Sequence, residues 1–335
     1  VWSYMSSNSG FSKRVLDYFS FACMSFFVGI FQKHDVIIAT SPQFFTTWSG
    51  WALSKIRRKP WIFELRDLWP ESIKTVGAMK QGRVIDLLEK IELGLYKSCN
   101  KVVAVTDAFK NNLITRGIRK DKIEVITNGS NMELFYPREA DLDLLGSLGL
   151  NDKFVVGYIG THGMAHGLDF IVKSIRKVSD PSIHFLFIGD GATKQDIVKL
   201  AKELNLINIT FLDPIDKEQV PKYLSIVDVS LAPLIKSDTF KTVIPSKIFE
   251  SSAMQKPTLL GVEGQAQEIL EKYGAGVCFE PENEKDFLEK LNVLKEVSVY
   301  EKCQAGCEVL AKEYDRKVLA NKMLNVIKTV EGGSR

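Results

Sequence analysis

Residues 183–213, IHFLFIGDGATKQDIVKLAKELNLINITFLD, decide the fold of this 335-residue chain. An apolar run at 183–188 leads into a Gly-Asp-Gly turn, an amphipathic segment follows, and a second apolar run begins at 209. Apolar residues at successive positions are typical of parallel strands that are covered on both faces. Two such strands joined through a helix predict a right-handed strand–helix–strand unit.

The same alternation of apolar runs and amphipathic segments extends in both directions from this unit. It predicts an α/β protein built from doubly wound parallel sheets. The predicted strands are 35–40, 61–65, 101–106, 123–128, 154–160, 183–189, 209–213, 229–234, 257–262 and 275–280.

The alternation is interrupted by proline, glycine and charged residues before residue 153. This break predicts a first domain over 1–137, a linker over 138–152, a second domain over 153–300 and a helical tail over 301–335. Only four predicted strands precede the break, against six after it. Because the chain also begins with Val1 rather than Met, the sequence predicts a first domain that is truncated at its amino end and lacks one strand.

Composition limits the class of protein. The chain is 45% hydrophobic and 25% charged, which is the profile of a soluble globular protein. A net charge of +3 without a basic stripe argues against a nucleic-acid partner. Five scattered cysteines indicate reduced thiols and a cytoplasmic protein.

Two segments near the amino end bear on membrane contact. The apolar stretch FSFACMSFFVGIF at 19–31 is shorter than the roughly 18 residues that a spanning helix needs, and a buried core helix is favoured over membrane contact. The basic run from Lys55 to Lys59 indicates a solvated helix end or, less favoured, contact with anionic lipid.

Glycine-bearing turns follow two strands of the second domain, where doubly wound sheets bind ligands. Gly160 and Thr161 follow the first strand, and Gly189, Asp190 and Gly191 follow the next. Small residues there allow backbone amides to approach an anion such as a phosphate, although tight turns need glycine in any case.

Three other side chains near these turns each have more than one possible role. His162 and His166 have a spacing that suits a metal, but no third ligand is in view, and a phosphate contact or a surface histidine is favoured. Lys194 either reaches an anion or is solvated. It stands where a dinucleotide-binding motif has its third glycine, which disfavours a dehydrogenase.

The segment TVIPSKIFESSAMQKP at 242–257 predicts a short helix with Ser246 as its N-cap and Lys247 in its first position. Lys247, Glu250 and Ser251 would share one face. An ammonium group beside free backbone amides fits a diphosphate, and a nearby carboxylate fits ribose hydroxyls. A surface Lys–Glu pair explains the same spacing equally well.

Several motifs together carry a family resemblance. FIGDG, VPKYLSIVDVSLAPL, PSKIFESSAMQKP and GAGVCFEPEN, with ELRDLWPES and VITNGSNMELFYP before them, resemble in order and spacing the retaining glycosyltransferases of family 4, which have the GT-B fold. RDLWPE and PSK are similar to the subgroup that builds bacterial surface polysaccharide, including fucosamine-type transferases. The resemblance implies two Rossmann-like doubly wound domains that face a cleft.

The resemblance also implies a reaction. A hexosyl or N-acetylhexosaminyl group would pass from a nucleotide diphosphate donor to a hydroxyl with retention, in O-antigen or capsule synthesis. It would need no cofactor and no metal, and a UDP-sugar is favoured over a GDP-sugar. The acceptor would be a sugar or a lipid-linked sugar, and the protein would be cytoplasmic, with peripheral association at the inner membrane. A nucleotide-sugar 2-epimerase of the same fold and a non-catalytic sugar-nucleotide-binding protein stay open as alternatives.

Roles for individual residues follow from the resemblance. Glu250 matches the second glutamate of the E-x7-E motif, which holds the ribose, and Thr242 stands where the first glutamate contacts the donor sugar. The loop THGMAHG lacks the arginine and lysine that bind the diphosphate in relatives. Lys247 and Ser246 would therefore take that duty, with His166 as a weaker candidate.

The remaining predicted contacts lie in two loops. Pro214 and Ile215 match the region whose backbone meets the base. Arg66 and Asp67 replace a His-Asp pair that lies near the acceptor in many relatives. Asp67 would position hydroxyl groups or, as an alternative, bond the turn at 69–70. Arg66 and Asp67, together with Lys247, form the predicted catalytic set.

Overall fold

The structure, a computed structural model, describes residues 1–4, 11–41, 44–68 and 82–333, without the side chains of 11–15 and 84. The chain forms two compact units. Unit 1 comprises Val1–Thr127 with Leu319–Arg335, and unit 2 comprises Asn128–Val318. Each unit has its own hydrophobic core around its own parallel sheet.

Unit 1 contains a four-stranded parallel sheet in the order β1-β2-β3-β4. Its strands are β1 (Ile37–Thr40), β2 (Trp61–Leu65), β3 (Lys101–Ala104) and β4 (Ile123–Val125). Its helices include α1 (Phe11–Phe31), α2 (Phe44–Arg57), α3 (Arg83–Ser98) and α4 (Asp107–Thr115). The core lies between sheet and helices, where Phe63 packs against the ring of Tyr96 at 4.7 Å.

Unit 2 contains a six-stranded parallel sheet in the order β10-β9-β8-β5-β6-β7. Its strands are β5 (Phe154–Ile159), β6 (Ile183–Ile188), β7 (Ile209–Leu212), β8 (Val229–Pro233), β9 (Thr258–Gly261) and β10 (Gly276–Cys278). Its helices are α5 (Leu142–Ser147), α6 (Leu168–Ile175), α7 (Lys194–Glu203), α8 (Val220–Ser225), α9 (Lys247–Ala253), α10 (Gln265–Tyr273), α11 (Glu284–Lys295) and α12 (Val297–Glu313). The strand order reverses beside β5, which pairs with both β6 and β8. A crevice at this point is where doubly wound sheets bind ligands.

Each of the ten predicted strands is present. The strand at 61–65 has the predicted bounds, and the other nine are one to three residues shorter than predicted. The prediction of two parallel-sheet domains is therefore confirmed. Their apolar runs are strands because the side chains on both faces are covered, as the fully buried residues of β6 and β8 show.

The boundaries of the two compact units differ from the predicted domain boundaries. The segment predicted as a linker contains α5, and Leu144 of this helix and Leu150 after it pack with Val155 of unit 2. The last helix, α13 (Arg316–Gly332), enters unit 1 from Leu319 onward, where Val330 packs beside Ile62. Apolar contacts therefore assign the segment with α5 to unit 2 and the end of α13 to unit 1.

Helix α1 is not the core helix that the sequence favours. From Leu16 onward, Ala22 is its one buried side chain, and Phe31 is 84% exposed. That prediction is wrong because a purely apolar stretch does not show whether other elements cover it. Among the residues that the structure describes, no helix is long and apolar enough to cross a bilayer.

Candidate functional site

A cavity of about 600 Å³ opens in unit 2 at the carboxyl ends of β5 and β6. Ten of the sequence-predicted residues line it: Gly160, Thr161, His166, Gly189, Asp190, Pro214, Ile215, Ser246, Lys247 and Glu250. These residues come from four separate strand-end loops and α9, and the sheet topology brings them together. Gly191 and Thr242 do not line this cavity.

The floor of the cavity depends on a glycine at the end of β6. Gly160 donates its backbone N–H to the Ile188 carbonyl at 2.9 Å. Gly189 has φ 141°, and a Cβ atom at this position would lie 1.9 Å from the Gly160 carbonyl oxygen. Only glycine fits this conformation and this close approach.

Lys247 is the central charged group of the cavity. Its Nζ atom is buried and has no hydrogen-bond partner among the described residues. It lies 3.7 Å from the centroid of the Tyr158 ring, and a Cβ atom on Gly160 would be 3.4 Å from it. Burial lowers the pKa of Lys247 from 10.5 to about 7, against the smaller opposing effect of Glu250. The amine is therefore poised to take up a proton when an anion enters.

Glu250 faces a second cation that the sequence prediction did not include. Lys217 Nζ lies 3.9 Å from Glu250 Oε1. Burial raises the pKa of the Glu250 carboxyl, and Lys217, Arg316 and Lys247 oppose that rise. Because Lys247 Nζ is buried and unpaired, the alternative of a surface Lys247–Glu250 pair is wrong.

The two histidines differ in environment. His162 is fully buried, and neither ring nitrogen has a partner among the described residues, so a surface position is wrong for it. Burial, with Lys194 and Lys247 nearby, lowers the pKa of His162 to about 4. His166 lines the cavity, and burial followed by the charge of Lys247 lowers the pKa of His166. Within the described ranges, no three His, Cys, Asp or Glu side chains are grouped to hold a metal ion.

Lys194 and Ser251 do not line the cavity, and their side chains form hydrogen bonds within the fold. Lys194 Nζ donates to the carbonyls of Gly189 and Leu212 at 2.8 and 2.6 Å, and so ties the ends of β6 and β7 together. Neither prediction for Lys194, anion contact or solvation, describes this role. Ser251 is buried and hydrogen-bonded to Thr258 at 3.1 Å, so its predicted place on the polar face is wrong.

The predicted N-cap of α9 is also corrected. Ser246 precedes the helix, but its backbone is already helical and its side chain accepts no capping hydrogen bond. Thr242 ends a short 3-10 helix (Asp238–Thr242), and its hydroxyl donates to the Thr239 carbonyl at 3.1 Å. Gly191 donates its backbone N–H to Asp190 Oδ1 at 2.8 Å.

Arg66 and Asp67 belong to unit 1 and follow β2 directly. The Ser41 hydroxyl oxygen accepts the backbone N–H groups of Arg66 and Asp67 at 3.0 and 3.3 Å. The Arg66 guanidinium lies 3.5 Å from Glu64. The turn at 69–70, the alternative partner of Asp67, lies outside the described residues.

Two family models match the chain. The model of Glycosyltransferase Family 4 matches residues 10–134, and the model of Glycosyl transferases group 1 matches residues 145–305. Both models describe glycosyltransferases, and together they match most of the chain. The chain belongs to the glycosyltransferases. The first match falls mostly on unit 1 and extends to residue 134 of unit 2, and the second lies within unit 2.

Sequence relatives of this glycosyltransferase include bacterial proteins. It is 26% identical over 298 residues to WcaI of Escherichia coli K12, which carries the provisional name of a colanic acid biosynthesis glycosyl transferase, with 84% of this chain and 73% of the relative covered. It is 27% identical to TuaH of Bacillus subtilis, provisionally named a teichuronic acid biosynthesis glycosyltransferase, over 59% of this chain. The match covers 49% of TuaH, about half of its length.

Solved structures share the fold. HepE of Anabaena, crystallised with UDP and glucose, has a TM-score of 0.74 and 18% identity, with 92% of this glycosyltransferase and 81% of HepE covered. Sucrose-phosphate synthase of Thermosynechococcus elongatus has a TM-score of 0.72 and 18% identity, with 98% and 81% covered. The fold is GT-B, as the sequence resemblance predicts.

Sequence reasoning missed Tyr158 and Lys217 in this glycosyltransferase. Tyr158 lies within β5, where an aromatic residue reads as ordinary core, and no sequence signal marks its contact with Lys247. Lys217 could have been found, because it follows β7 at the same edge of the sheet as the other loops.

Proposed function

We propose that this glycosyltransferase moves a sugar from a UDP-sugar to a hydroxyl of a lipid-linked acceptor, with retention, in the synthesis of a bacterial surface polysaccharide. The single observation that carries the donor site is the buried, unpartnered amine of Lys247 in the cavity of unit 2. A buried amine without a partner is costly unless an anion completes it. The diphosphate of a nucleotide sugar is an anion of the right charge.

The other cavity residues fit the rest of a nucleotide. Glu250 can accept hydrogen bonds from ribose hydroxyls beside Lys217. Pro214 and Ile215 offer backbone groups and an apolar surface to a base. The cavity volume of about 600 Å³ suits a nucleotide-sized ligand. The UDP in the HepE crystals supports a UDP-sugar over a GDP-sugar.

Catalysis would come from positioning and from stabilising the charge that grows on the leaving diphosphate. The positive charge of protonated Lys247 opposes that negative charge, with Ser246 and His166 beside it. An oxygen of the leaving diphosphate accepts the proton of the attacking hydroxyl, and Asp67 positions the acceptor with Arg66. Thr242 carries no role in this proposal, because it does not line the cavity.

The cell-surface role is supported by the relatives. WcaI and TuaH carry names that refer to colanic acid and teichuronic acid biosynthesis. We extend that class to this chain, with O-antigen or capsule as the product and a hexosyl or N-acetylhexosaminyl group as the transferred sugar.

Calorimetry of UDP and uridine tests the donor site. Lys247→Ala should weaken UDP binding by about 100-fold, because a charge-assisted contact to a buried anion contributes about 3 kcal/mol. Uridine binding should change by less than about threefold, since it carries no phosphate. Lys199→Ala, at an exposed site of α7 outside the cavity, serves as the matched control. Equal losses for UDP and uridine would contradict the phosphate role.

Product analysis separates the alternatives. With a UDP-sugar and no acceptor, an epimerase would convert the sugar at its second carbon, and a binding protein would leave it unchanged with or without acceptor. The proposal predicts a new glycoside only when acceptor is present. NMR of that glycoside should show the anomeric configuration of the donor, and the opposite configuration would contradict retention.

A further inference from the structure

Helix α1 packs on α2 through its small residues. The Ser49 hydroxyl donates to the Ala22 carbonyl at 2.6 Å. Gly29 lies so close to Leu53 that a Cβ atom there would come within 2.7 Å of Leu53 Cδ1. Ala22 and Gly29 are seven residues apart, which places them on one face of the helix. This face of α1 therefore points toward α2.

The opposite face of α1 carries large apolar side chains. Leu16, Phe27 and Phe31 are 51%, 58% and 84% exposed. Residues 18–32 contain no charged side chain. A helix on the surface of a soluble domain normally turns its apolar face inward, and α1 has the opposite arrangement. Contiguous apolar surface of this kind marks an interaction site.

An open apolar groove of about 260 Å³ continues this surface between α1 and α2. The aromatic rings of Phe19, Phe27 and Trp48 form part of its lining. Phe19 and Phe45 contact each other edge to face with centroids 6.2 Å apart. The contacts pair Phe19 with Phe45, Ala22 with Ser49 and Gly29 with Leu53. Because the residue numbers rise together along both helices, α1 and α2 run in the same direction.

Because the helices are parallel, their carboxyl ends meet, and basic residues gather there. Lys33 follows α1, and the run from Lys55 to Lys59 ends α2. Lys59 pairs with Asp35 at 3.1 Å, which joins the two segments. Residues 11–59 contain seven lysines and arginines against two aspartates. We call Lys33 and residues 55–59 the basic cluster.

We infer that the outward face of α1 and the basic cluster dock the protein on an anionic membrane surface. The apolar side chains enter the boundary between headgroups and acyl chains, and the basic cluster meets lipid phosphates. Charge decides for lipid over a second copy of this chain. A twofold interface pairs a surface with itself and would leave the basic cluster without counter-charge.

The inference deepens the proposed function and rests on it for the lipid-linked acceptor. Helix α2 begins just after β1 ends, so the amino ends of the helices lie at the carboxyl edge of the unit 1 sheet. Arg66 and Asp67 follow β2 at the same edge. The basic cluster lies at the opposite edge of this sheet, before β2 begins. A membrane that lies along the helix pair from the basic cluster to the amino ends would place a lipid-linked sugar at the side of unit 1 that carries Arg66 and Asp67.

Vesicle flotation of the full chain tests the docking. We expect binding to vesicles of phosphatidylcholine with phosphatidylglycerol and much weaker binding to phosphatidylcholine alone. Phe27→Ser with Phe31→Ser should reduce binding to both by at least about tenfold, because each ring loses its burial. The control is Ile207→Ser, which changes a 93% exposed apolar residue in unit 2.

The basic cluster is tested separately. Arg57→Gln with Arg58→Gln should weaken binding to the anionic vesicles by about 25-fold, or about fivefold per charge, and leave the weak binding to neutral vesicles unchanged. Lys199→Gln with Lys302→Gln removes two exposed charges from unit 2 as the control. Equal effects of the two pairs of substitutions would overturn the assignment of the basic cluster.

Two results would overturn the docking itself. One is the absence of binding of the wild-type protein to either kind of vesicle. The other is a dimer by light scattering that Phe27→Ser with Phe31→Ser converts to a monomer, which would assign the face to a second copy. UDP calorimetry on the same variants separates this failure from failure of the proposed function. Normal UDP binding without vesicle binding refutes the docking alone, and vesicle binding without UDP binding refutes the donor site alone.

Discussion

At the scale of the residue, Lys247 lowers the stability of the fold, and the proposed function requires it. Its buried amine has no partner, and Tyr158 offers only the face of its ring. The proposed donor site gives a reason for such a group, because the ligand, and not the fold, would complete its contacts. The functional hypothesis therefore has consequences for stability that are opposite to its consequences for binding.

Lys247→Met should raise the free energy of unfolding at pH 7 by about 1–3 kcal/mol, since it removes the cost of burying the amine. The pKa of Lys247 is 10.5 when unperturbed and about 7 in the fold, so the unfolded chain binds more protons between these values. The contribution of this lysine to stability therefore rises with pH from about 7 to about 10.5. Urea unfolding of both proteins across this range measures it, and Lys199→Met is the control. A difference between wild type and Lys247→Met that does not depend on pH would contradict the buried amine.

Binding of UDP should be coupled to proton uptake. The diphosphate favours the charged amine and raises the pKa of Lys247 above about 7, so affinity should fall by up to about tenfold per pH unit above that value. Calorimetry at pH 8.5 in buffers of different ionisation enthalpy should show uptake of close to one proton. Lys247→Arg, which stays charged, should show none. Equal uptake by the two proteins would refute the coupling.

At the scale of the element, the turn between β6 and α7 shapes the cavity through close backbone contact. Gly189→Ala would place a methyl group 1.9 Å from the Gly160 carbonyl oxygen. We expect a loss of about 3 kcal/mol or more in unfolding free energy, since backbone must move at a conformation that favours glycine. Gly94→Ala is the matched control, because nothing lies within 4 Å of its added Cβ in α3. It should stabilise by about 0.5–1 kcal/mol, and similar losses for both would contradict the close approach.

The elements were also the part of the molecule that the sequence predicts best. Apolar runs such as 183–188 identify parallel strands, and strand-end loops then identify most of the cavity. The sequence could not show that α1 turns its large side chains outward, because an apolar stretch has no polar face to orient it. It also could not predict the Tyr158–Lys247 contact, which depends on β5 and α9 meeting in space. The spacing wrongly predicts Ser251 on the polar face of α9, because most of this seven-residue helix is buried and Ser251 is among its buried residues.

At the scale of the whole molecule, the chain crosses between its two units twice, and its last segment completes unit 1. Val330 packs beside Ile62 and Val103 of the unit 1 sheet. Removal of residues 319–335 should therefore lower the thermal transition of unit 1 and leave that of unit 2 nearly unchanged. Scanning calorimetry resolves this, and UDP should raise only the transition of unit 2. A UDP effect on the transition that the truncation lowers would contradict the placement of the donor site.

The central claim is that the amine of Lys247 holds the diphosphate of the sugar donor, and a crystal structure with UDP tests it most directly. We predict that Lys247 Nζ leaves the face of the Tyr158 ring and lies about 2.7–2.9 Å from a diphosphate oxygen. Glu250 should then contact the ribose. A diphosphate bound away from residues 246–250, or a Lys247 amine that stays over Tyr158 without touching the ligand, would contradict the account.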